Sequence, residues 1–217
     1  MNCKNTKKIE EIRKRLYNFY GPLNWWPADN TFEVCVGAIL TQNTSWKNVE
    51  KAIQNLKKAK ILDCRTIAEE REKFIANLIK PSGYFNQKAK KLKAFCVFLK
   101  ENYGCSLNEF FNSGNVEDLR KKLLSIWGIG KETADSILLY AGNKPVFVVD
   151  AYTKRVFSRH GICNEDVEYD QLRNCVENTI YKNVSFYNEF HAGLVSIGKD
   201  YCKKTSPVCN LCPLKDV

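Results

Sequence analysis

Apolar residues recur three and four positions apart along most of the chain, which is the spacing of an amphipathic α-helix. The first segment of this kind carries Ile9, Ile12, Leu16 and Phe19. The later segments with the same spacing are FEVCVGAIL, VEKAIQNL, FIANLI, KAKKLKAFCVFLKENY and LRKKLLSI. The pattern predicts an all-α protein.

Residues that favour turns separate these helical segments. They lie at 21–22, 27, 81–83, 104, 113–115, 128–130, 143–145 and 207. The β-branched run at 146–149 has the composition of a strand, but the chain offers no second run to pair with it. We therefore expect an extended connector there. The sequence contains neither a repeat nor a low-complexity linker, so it does not itself mark a domain boundary.

Two helical patterns in LLSIWGIGKETADSILLYA are joined by Gly128, Ile129 and Gly130. Glycine permits positive φ and a close approach of the backbone to a neighbouring group. The second helix begins near Lys131, and free N–H groups at a helix start favour an anion such as a phosphate. A tight turn between two helices, without a ligand, explains the same residues.

Asp150 follows the apolar connector and opens the helical segment DAYTKRVFSRHG. An aspartate at such a place commonly acts as the N-cap of the helix. The residue by itself therefore predicts a capping role, and only its neighbours in the sequence point to another one.

The charge of the chain favours a polyanionic partner. Thirty-four Lys and Arg residues against 24 Asp and Glu give a net charge of +10, so nucleic acid is the first candidate and a membrane surface the second. No run approaches the ~18 apolar residues of a membrane-spanning helix. The start, MNCKNTKKIEEIRKRL, lacks the apolar core of a signal peptide. We expect a cytoplasmic, nucleoid-associated protein.

The ten cysteines form two groups. Seven are scattered through helical patterns and are expected, in a reducing compartment, to be mostly small hydrophobic side chains of the core. They are Cys3, Cys35, Cys64, Cys96, Cys105, Cys163 and Cys175. The other three, Cys202, Cys209 and Cys212, lie within the last sixteen residues and require a separate explanation.

The glycine-rich hairpin, a helix, the connector and Asp150 resemble, in that order, the helix-hairpin-helix (HhH-GPD) DNA glycosylases of the endonuclease III superfamily. GAILTQNTSW is similar to that family's helix that fills the gap left by a flipped base. PSGYFNQKAKKLK is similar to its wedge loop and basic helix. The resemblance implies a monomeric enzyme of base excision repair that acts on double-stranded DNA containing a damaged base.

The resemblance also implies which residues contact DNA. Gln42 takes the position that fills the gap, and Tyr84 takes the wedge position. The implied contacts to the DNA backbone are Lys88, Lys91, Gly128, Gly130 and Lys131. For the lysines of NQKAKKLK, a solvated helix face is the alternative.

Asp150 has the position of the family's catalytic aspartate, whose charge stabilises the positive sugar and orients water. Family members that also cut the strand carry a lysine where this chain has Glu132. We therefore expect a monofunctional DNA glycosylase that leaves an abasic site. Glu132 is also explained as a favourable charge in the first turn of a helix. The alternatives are an endonuclease III-like glycosylase/AP lyase for oxidised or mismatched bases and a non-catalytic DNA-binding module.

The segment GPLNWWPADN, together with TQNTSW, resembles the 3-methyladenine DNA glycosylase III-like branch of the superfamily. In that branch aromatic rings sandwich the base, which implies a pocket formed by Trp25, Trp26, Trp46 and Glu132. An alkylated purine carries positive charge and stacks well on indole. One tryptophan in the core and one under a loop is the alternative. The two histidines, His160 and His191, are expected to be structural.

The three late cysteines, spaced Cys202-x6-Cys209-x2-Cys212, match the first three positions of the family's iron-sulfur signature. The resemblance implies a [4Fe-4S] cluster that stiffens a basic loop against DNA. The fourth cysteine would follow Val217 directly, so either the chain continues or the ligand comes from outside. A vestigial loop and a zinc site are the alternatives.

The resemblance further implies two helical lobes with DNA in the cleft between them. One lobe, residues 21–134, would be a helical barrel with the hairpin. The other would combine residues 1–20 with 135–217 and carry the C-terminal cysteine (iron-sulfur-type) loop.

Overall fold

The computed structural model describes residues 6–23, 25–26 and 28–217. These residues form helices, turns and loops, and no strand is present among them, which confirms the all-α prediction. Within the same ranges, no helix combines the length and the apolar composition needed to cross a membrane.

The chain divides into two units. One consists of Ala28–Gly142, and the other combines Met1–Pro27 with Asn143–Val217. Both boundaries fall at segments with turn-forming residues, where a proline or a glycine interrupts the helical pattern.

The Ala28–Gly142 unit contains eight of the described α-helices. They are α2 (Thr31–Leu40), α3 (Trp46–Lys58), α4 (Cys64–Glu69), α5 (Glu72–Leu78), α6 (Phe85–Tyr103), α7 (Leu107–Asn112), α8 (Val116–Leu124) and α9 (Lys131–Ser136). A 3₁₀ turn at Lys80–Ser82 precedes α6, and a π-helical turn at Ile137–Ala141 continues α9. Helix α6 packs against α4 and α5, and the largely buried α2 packs against the π-helical turn.

The second unit contains α1 (Thr6–Tyr20), α10 (Ala151–Arg159), α11 (Tyr169–Thr179) and α12 (Val184–Asp200). Helix α12 packs against α1 and α10 and carries the core of this unit. Phe147 lies 5.6 Å from Tyr187 and 5.5 Å from Phe190, measured between ring centroids. A short 3₁₀ turn at Cys209–Leu211 lies in the C-terminal loop.

The apolar run at 146–149 is a connector without regular secondary structure and not a strand, as predicted, and its four side chains are buried. Side chains, and not a second strand, accept hydrogen bonds from two of its backbone N–H groups. The N–H of Phe147 donates to Oε1 of Glu177 at 2.8 Å, and the N–H of Val149 donates to the Tyr169 hydroxyl at 3.3 Å. The connector therefore needs no β-sheet.

Cys64 and Cys105 form a disulfide between α4 and the turn after α6, with their Cα atoms 5.7 Å apart. This pairing corrects the expectation that both are separate thiols. Cys35 and Cys96 are free and buried, as predicted, and burial raises the pKa of both thiols.

Candidate active site and DNA-binding elements

The glycine-rich turn joins α8 to α9. Gly128 has φ +82°, a left-handed conformation that favours glycine. Gly130 has φ −92° and ψ 175°, so it is extended and does not use the positive φ that the sequence allowed. A Cβ at Gly130 would meet nothing within 4 Å, so the backbone at the start of α9 is uncovered. This geometry suits the predicted approach of a phosphate.

A buried ion pair fixes the angle between the two helices of the hairpin. Nε of Arg120 in α8 donates to Oδ1 of Asp135 in α9 at 2.6 Å, and Nη2 donates to Oδ2 at 3.2 Å. Asp135 is completely buried. Because the guanidinium binds both carboxylate oxygens, the pair restricts the relative orientation of the helices. No local pattern in the sequence predicts this pair.

Gln42, which lies just after α2, is held by side chains from two other helices. Its Nε2 donates to Oγ1 of Thr133 in α9 at 3.0 Å, and its Oε1 accepts a hydrogen bond from Nζ of Lys91 in α6. The structure therefore brings together the predicted gap-filling residue, one predicted backbone-binding lysine and the hairpin.

Tyr84 immediately precedes α6 and is 73% exposed. Its φ of 45° is left-handed, which is uncommon for a tyrosine, and the preceding Gly83 also has positive φ. The side chain therefore projects from a tightly turned loop, as a wedge requires.

Lys88 is buried, with 2% of its surface exposed. Its ammonium donates to the carbonyl of Leu40 at 2.9 Å and to that of Ser82 at 2.6 Å. Burial, together with the nearby charge of Lys91, lowers the pKa of Lys88 to about 8. The predicted phosphate contact of Lys88 is therefore wrong. Its ammonium is buried and binds a carbonyl at the end of α2 and another in the wedge loop.

Three exposed residues surround the start of α9. Lys131 and Glu132 are its first two residues, and Trp127 precedes Gly128. Nζ of Lys90 lies 4.3 Å from the centroid of the Trp127 ring. Trp127 was not among the predicted site residues, although an aromatic residue directly before a glycine-rich turn is a visible signal. The ring and its lysine add an aromatic and a basic group to the hairpin surface.

Asp150 is the N-cap of α10. Its Oδ1 accepts from the N–H of Thr153 at 2.7 Å, and Oδ2 lies 3.6 Å from Nε2 of His191 in α12. Burial acts to raise the pKa of Asp150, but the imidazole and the hydrogen bonds from Thr153 outweigh it and hold the pKa below its ordinary value. The carboxylate therefore stays ionised at neutral pH.

His191 was predicted to be structural, yet it is the side chain beside the candidate catalytic carboxylate. It is buried, and its ring lies edge-on to Phe147 at 6.5 Å. Because 41 residues separate Asp150 from His191, local patterns give no signal of their contact. His160 contacts the backbone carbonyl of Val217 at 3.2 Å, in keeping with a structural role.

The tryptophans of the predicted base pocket belong to both units. Trp25 lines a cavity of about 800 Å³ together with Pro145, Asn188 and Glu189. The ammonium of Lys199 lies 5.1 Å from the Trp25 ring centroid. Trp26 is half-buried with φ +88°. Trp46 opens α3, and its indole N–H donates to Glu50 at 2.8 Å. The predicted pocket of Trp25, Trp26, Trp46 and Glu132 stays a prediction.

A family model described as "HhH-GPD superfamily base excision DNA repair protein" matches residues 36–181, which include the hairpin and Asp150. The chain belongs to this superfamily. Membership confirms the resemblance seen in the sequence and makes the protein a DNA glycosylase of base excision repair at the level of the superfamily.

Individual relatives cover almost the whole HhH-GPD chain. A Methanocaldococcus jannaschii protein named "Putative DNA repair glycosylase MJ1434" is 49% identical over 96% of this chain and 94% of its own. The crystal structure of Helicobacter pylori 3-methyladenine DNA glycosylase (MagIII) bound to 1,N6-ethenoadenine is 31% identical, with a TM-score of 0.77, covering 90% and 97% of the two chains. An endonuclease III–DNA complex has a TM-score of 0.82 at 21% identity over 96% and 92%, which supports the fold.

The C-terminal loop of this HhH-GPD protein carries the three late cysteines. Cys202 and Cys212 are buried and Cys209 is exposed. In the described part of the chain, no three His, Cys, Asp or Glu side chains form a group that could hold a metal ion. Three thiols suit three corners of an iron-sulfur cluster in their chemistry, but the three side chains are not gathered into a metal site.

Protein contacts hold this loop in place. Arg159 donates to the carbonyl of Lys203 at 2.7 Å and contacts the Cys202 sulfur at 3.3 Å. Arg155 donates to the carbonyl of Cys202 at 2.7 Å, and Leu214 is completely buried. Hydrogen bonds from Arg155 and Arg159 therefore anchor the loop to α10.

Proposed function

We propose that the protein is a monofunctional DNA glycosylase that removes alkylated purines from double-stranded DNA and leaves an abasic site. The observation that carries the proposal is the combination of an ionised carboxylate at Asp150 with a carboxylate, not an amine, at Glu132. An ionised carboxylate supports hydrolysis, whereas a strand-cutting enzyme needs an amine that forms an imine with the sugar.

The proposed reaction breaks the bond between C1′ of the sugar and the purine nitrogen. The electron pair of this bond leaves with the base, and positive charge develops on the sugar. The Asp150 carboxylate stabilises that charge and orients the water that adds to C1′, while the proton of the water passes to solvent. An alkylated purine is positively charged before cleavage, so it leaves as a neutral base without a general acid.

The proposed DNA contacts come from the Ala28–Gly142 unit. Tyr84 acts as the wedge, and Gln42 fills the gap left by the flipped nucleotide. The uncovered backbone at Gly130, with the charge of Lys131, receives a phosphate. Lys88 is not part of this contact surface, because its ammonium is buried.

Trp25 supports the proposed preference for an alkylated purine, because an indole attracts a positively charged ring. The Lys199 ammonium lies over this ring, 5.1 Å from its centre, and occupies one of its two faces. We therefore expect the purine to stack on the face of Trp25 that Lys199 leaves open. The 31% identity with a 3-methyladenine DNA glycosylase supports the same substrate class.

The substrate is tested by incubating the protein with methylated, oxidised and deaminated duplex DNA and identifying the released bases by mass spectrometry. We expect free alkylated purines from the methylated DNA and little release from the other two. Release of oxidised pyrimidines alone would instead support the glycosylase/AP lyase alternative. Lack of any base release, with DNA binding intact, would support a non-catalytic DNA-binding module.

The [4Fe-4S] cluster stays a prediction that rests on the motif of Cys202, Cys209 and Cys212. We expect anaerobically purified protein to be brown and to contain iron. Cys209→Ser should abolish the colour and the iron, because it removes one thiolate ligand. Cys163→Ser, which changes a free cysteine outside the motif, is the matched control and should retain both. Colourless, iron-free wild-type protein with a verified C-terminus would contradict the prediction.

A further inference from the structure

The buried ammonium of Lys88 joins two segments of the Ala28–Gly142 unit. Its Nζ donates to the carbonyl of Leu40 at 2.9 Å and to the carbonyl of Ser82 at 2.6 Å. Only 2% of the residue is exposed, so both hydrogen bonds lie away from bulk water, where they are electrostatically stronger. Burial and the charge of Lys91 lower the pKa of Lys88 to about 8, which leaves most of the amine charged at pH 7.

Each of the two carbonyls lies shortly before a side chain that is proposed to enter the DNA. Leu40 is the last residue of α2, and Gln42 follows it by two positions. Ser82 ends the 3₁₀ turn, and Tyr84 follows it by two positions. The carbonyl at the end of α2 has no partner within the helix, and the charge of Lys88 suits the negative end of the helix dipole. The ammonium therefore connects the gap-filling segment with the wedge loop.

The loop that carries Tyr84 depends on fixed neighbours because its backbone is unusual. Gly83 has φ +68° and Tyr84 has φ 45°, and a tyrosine rarely adopts this left-handed conformation. Lys88 contacts the loop twice. Its Nζ binds the carbonyl of Ser82, which is completely buried, and its backbone N–H donates to the carbonyl of Tyr84 at 3.0 Å. These two contacts flank Gly83 and fix the direction in which the wedge side chain leaves the protein.

We propose that Lys88 is a positioning residue for base flipping, because it holds the wedge loop and the gap-filling segment in one arrangement before DNA is bound. Without the ammonium, two buried carbonyls lose their donor and the two segments can move independently. The segments would then become ordered only on the DNA, at a cost in conformational entropy that slows flipping. The reaction at the sugar would not change, because Asp150 belongs to the other unit. This inference rests on the proposed roles of Tyr84 and Gln42.

The test compares the release of one alkylated purine from two substrates of the same sequence. In the first the purine is paired in a duplex, and in the second it lies in a bubble of unpaired nucleotides between duplex arms. A base that is already unpaired is flipped at little cost, so the bubble reports the later steps. Lys88→Met retains the apolar stem and removes the donor. We expect single-turnover release at pH 7 to slow on the order of tenfold for the duplex, the factor of a hydrogen bond to a charged group, and to keep the wild-type rate for the bubble.

Lys93→Met is the matched control. Lys93 also lies on α6 and is partly buried, and its Nζ donates to the backbone carbonyl of Glu70. The substitution removes the same charge and the same kind of hydrogen bond, but it involves neither the wedge loop nor the gap-filling segment. Lys93→Met should therefore keep the wild-type ratio of duplex release to bubble release. An equal fall of this ratio in Lys93→Met and Lys88→Met would overturn the positioning role, because loss of a charge from α6 would explain both.

Two further variants keep the test decisive if thermal melting shows that Lys88→Met does not fold. Lys88→Arg keeps a positive charge and several N–H donors, so its ratio of duplex release to bubble release should lie close to that of the wild type. Lys88→Gln keeps a neutral N–H donor for a buried carbonyl but loses the charge and part of the length, so it should fold and lower the ratio. A wild-type ratio in folded Lys88→Gln would overturn the proposal.

Failure of this inference is distinguishable from failure of the proposed function. Tyr84→Ala and Gln42→Ala should each lower the ratio of duplex release to bubble release, because the wedge and the gap-filling side chain assist flipping. If they do so while the folded Lys88 variants keep the wild-type ratio, the positioning role of Lys88 is overturned and the proposed DNA contacts stand. If neither lowers the ratio, the proposed roles of Tyr84 and Gln42 are wrong, and the inference about Lys88 is overturned with them.

Discussion

Asp150→Asn is expected to slow base release on the order of 10²–10³-fold while leaving binding to lesion-containing DNA intact. The substitution removes the charge that opposes the developing positive charge on the sugar. It keeps the shape of the side chain and an oxygen that accepts from the N–H of Thr153. Because asparagine is as good an N-cap as aspartate, α10 should form normally.

Single-turnover base release and DNA affinity, measured on the same preparation, separate the two effects. Asp63→Asn is the matched control, because Asp63 caps α4 in the same way, with its side chain accepting from the N–H of Thr66 at 3.0 Å. It should release base at the wild-type rate. Wild-type activity in Asp150→Asn would overturn the catalytic assignment.

The environment of Asp150 also determines the acidic limit of the reaction. The lowered pKa means that the folded protein binds a proton at this carboxylate less readily than the unfolded chain does. The resulting stabilisation is present above the ordinary aspartate pKa and is lost as the pH falls through the folded value. Base release should follow the ionised carboxylate and decline over the same acidic range.

The hairpin and its neighbours were predictable from the sequence because their signals are local. Helical spacing gave the all-α fold, and the glycine-rich turn lies between two such patterns. The structure added that, of the two hairpin glycines, Gly128 takes a positive φ and Gly130 does not, and that the Lys91 side chain lies against Gly128. Tertiary packing determines which side chain lies against an uncovered backbone segment, and local sequence patterns carry no information about it.

The helical position of Lys88 indicates from the sequence that its side chain is buried. It lies four residues before Leu92, on the buried stripe of α6 that continues with Phe95 and Leu99. A lysine on an apolar stripe points into the protein, where its ammonium needs backbone carbonyls or a carboxylate. The motif of adjacent lysines favoured a solvent-facing role, and the helical position of Lys88 indicated the opposite.

Other contacts had no local signal. His191 meets Asp150 only because α12 packs against α10, and the disulfide of Cys64 with Cys105 joins residues 41 positions apart. Arg120 and Asp135 likewise pair across the hairpin. A single sequence shows which residues carry charges and thiols. It does not show which of them pair, because the packing of whole helices determines the pairs.

The wild-type protein is expected to release base without cutting the strand and to form no covalent complex with DNA when borohydride is present. Borohydride traps an imine between an amine and the sugar, and the residue at the relevant position is Glu132. Strands should therefore remain intact until alkali or heat cleaves them at the abasic site. Gel electrophoresis of labelled duplexes, with and without borohydride, measures both products.

Glu132→Lys extends this prediction, because it places an amine in the first turn of α9. Strand-cutting members of the HhH-GPD superfamily carry a lysine at this position. We expect this variant to yield a trapped complex and measurable strand scission. Glu109→Lys is the matched control, since Glu109 also lies in the first turn of a six-residue helix, α7, and is exposed. It should behave as wild type. A trapped complex with the wild-type protein would mean that another amine, first of all the exposed Lys131 at the start of α9, reaches the sugar, and the monofunctional assignment would then be wrong.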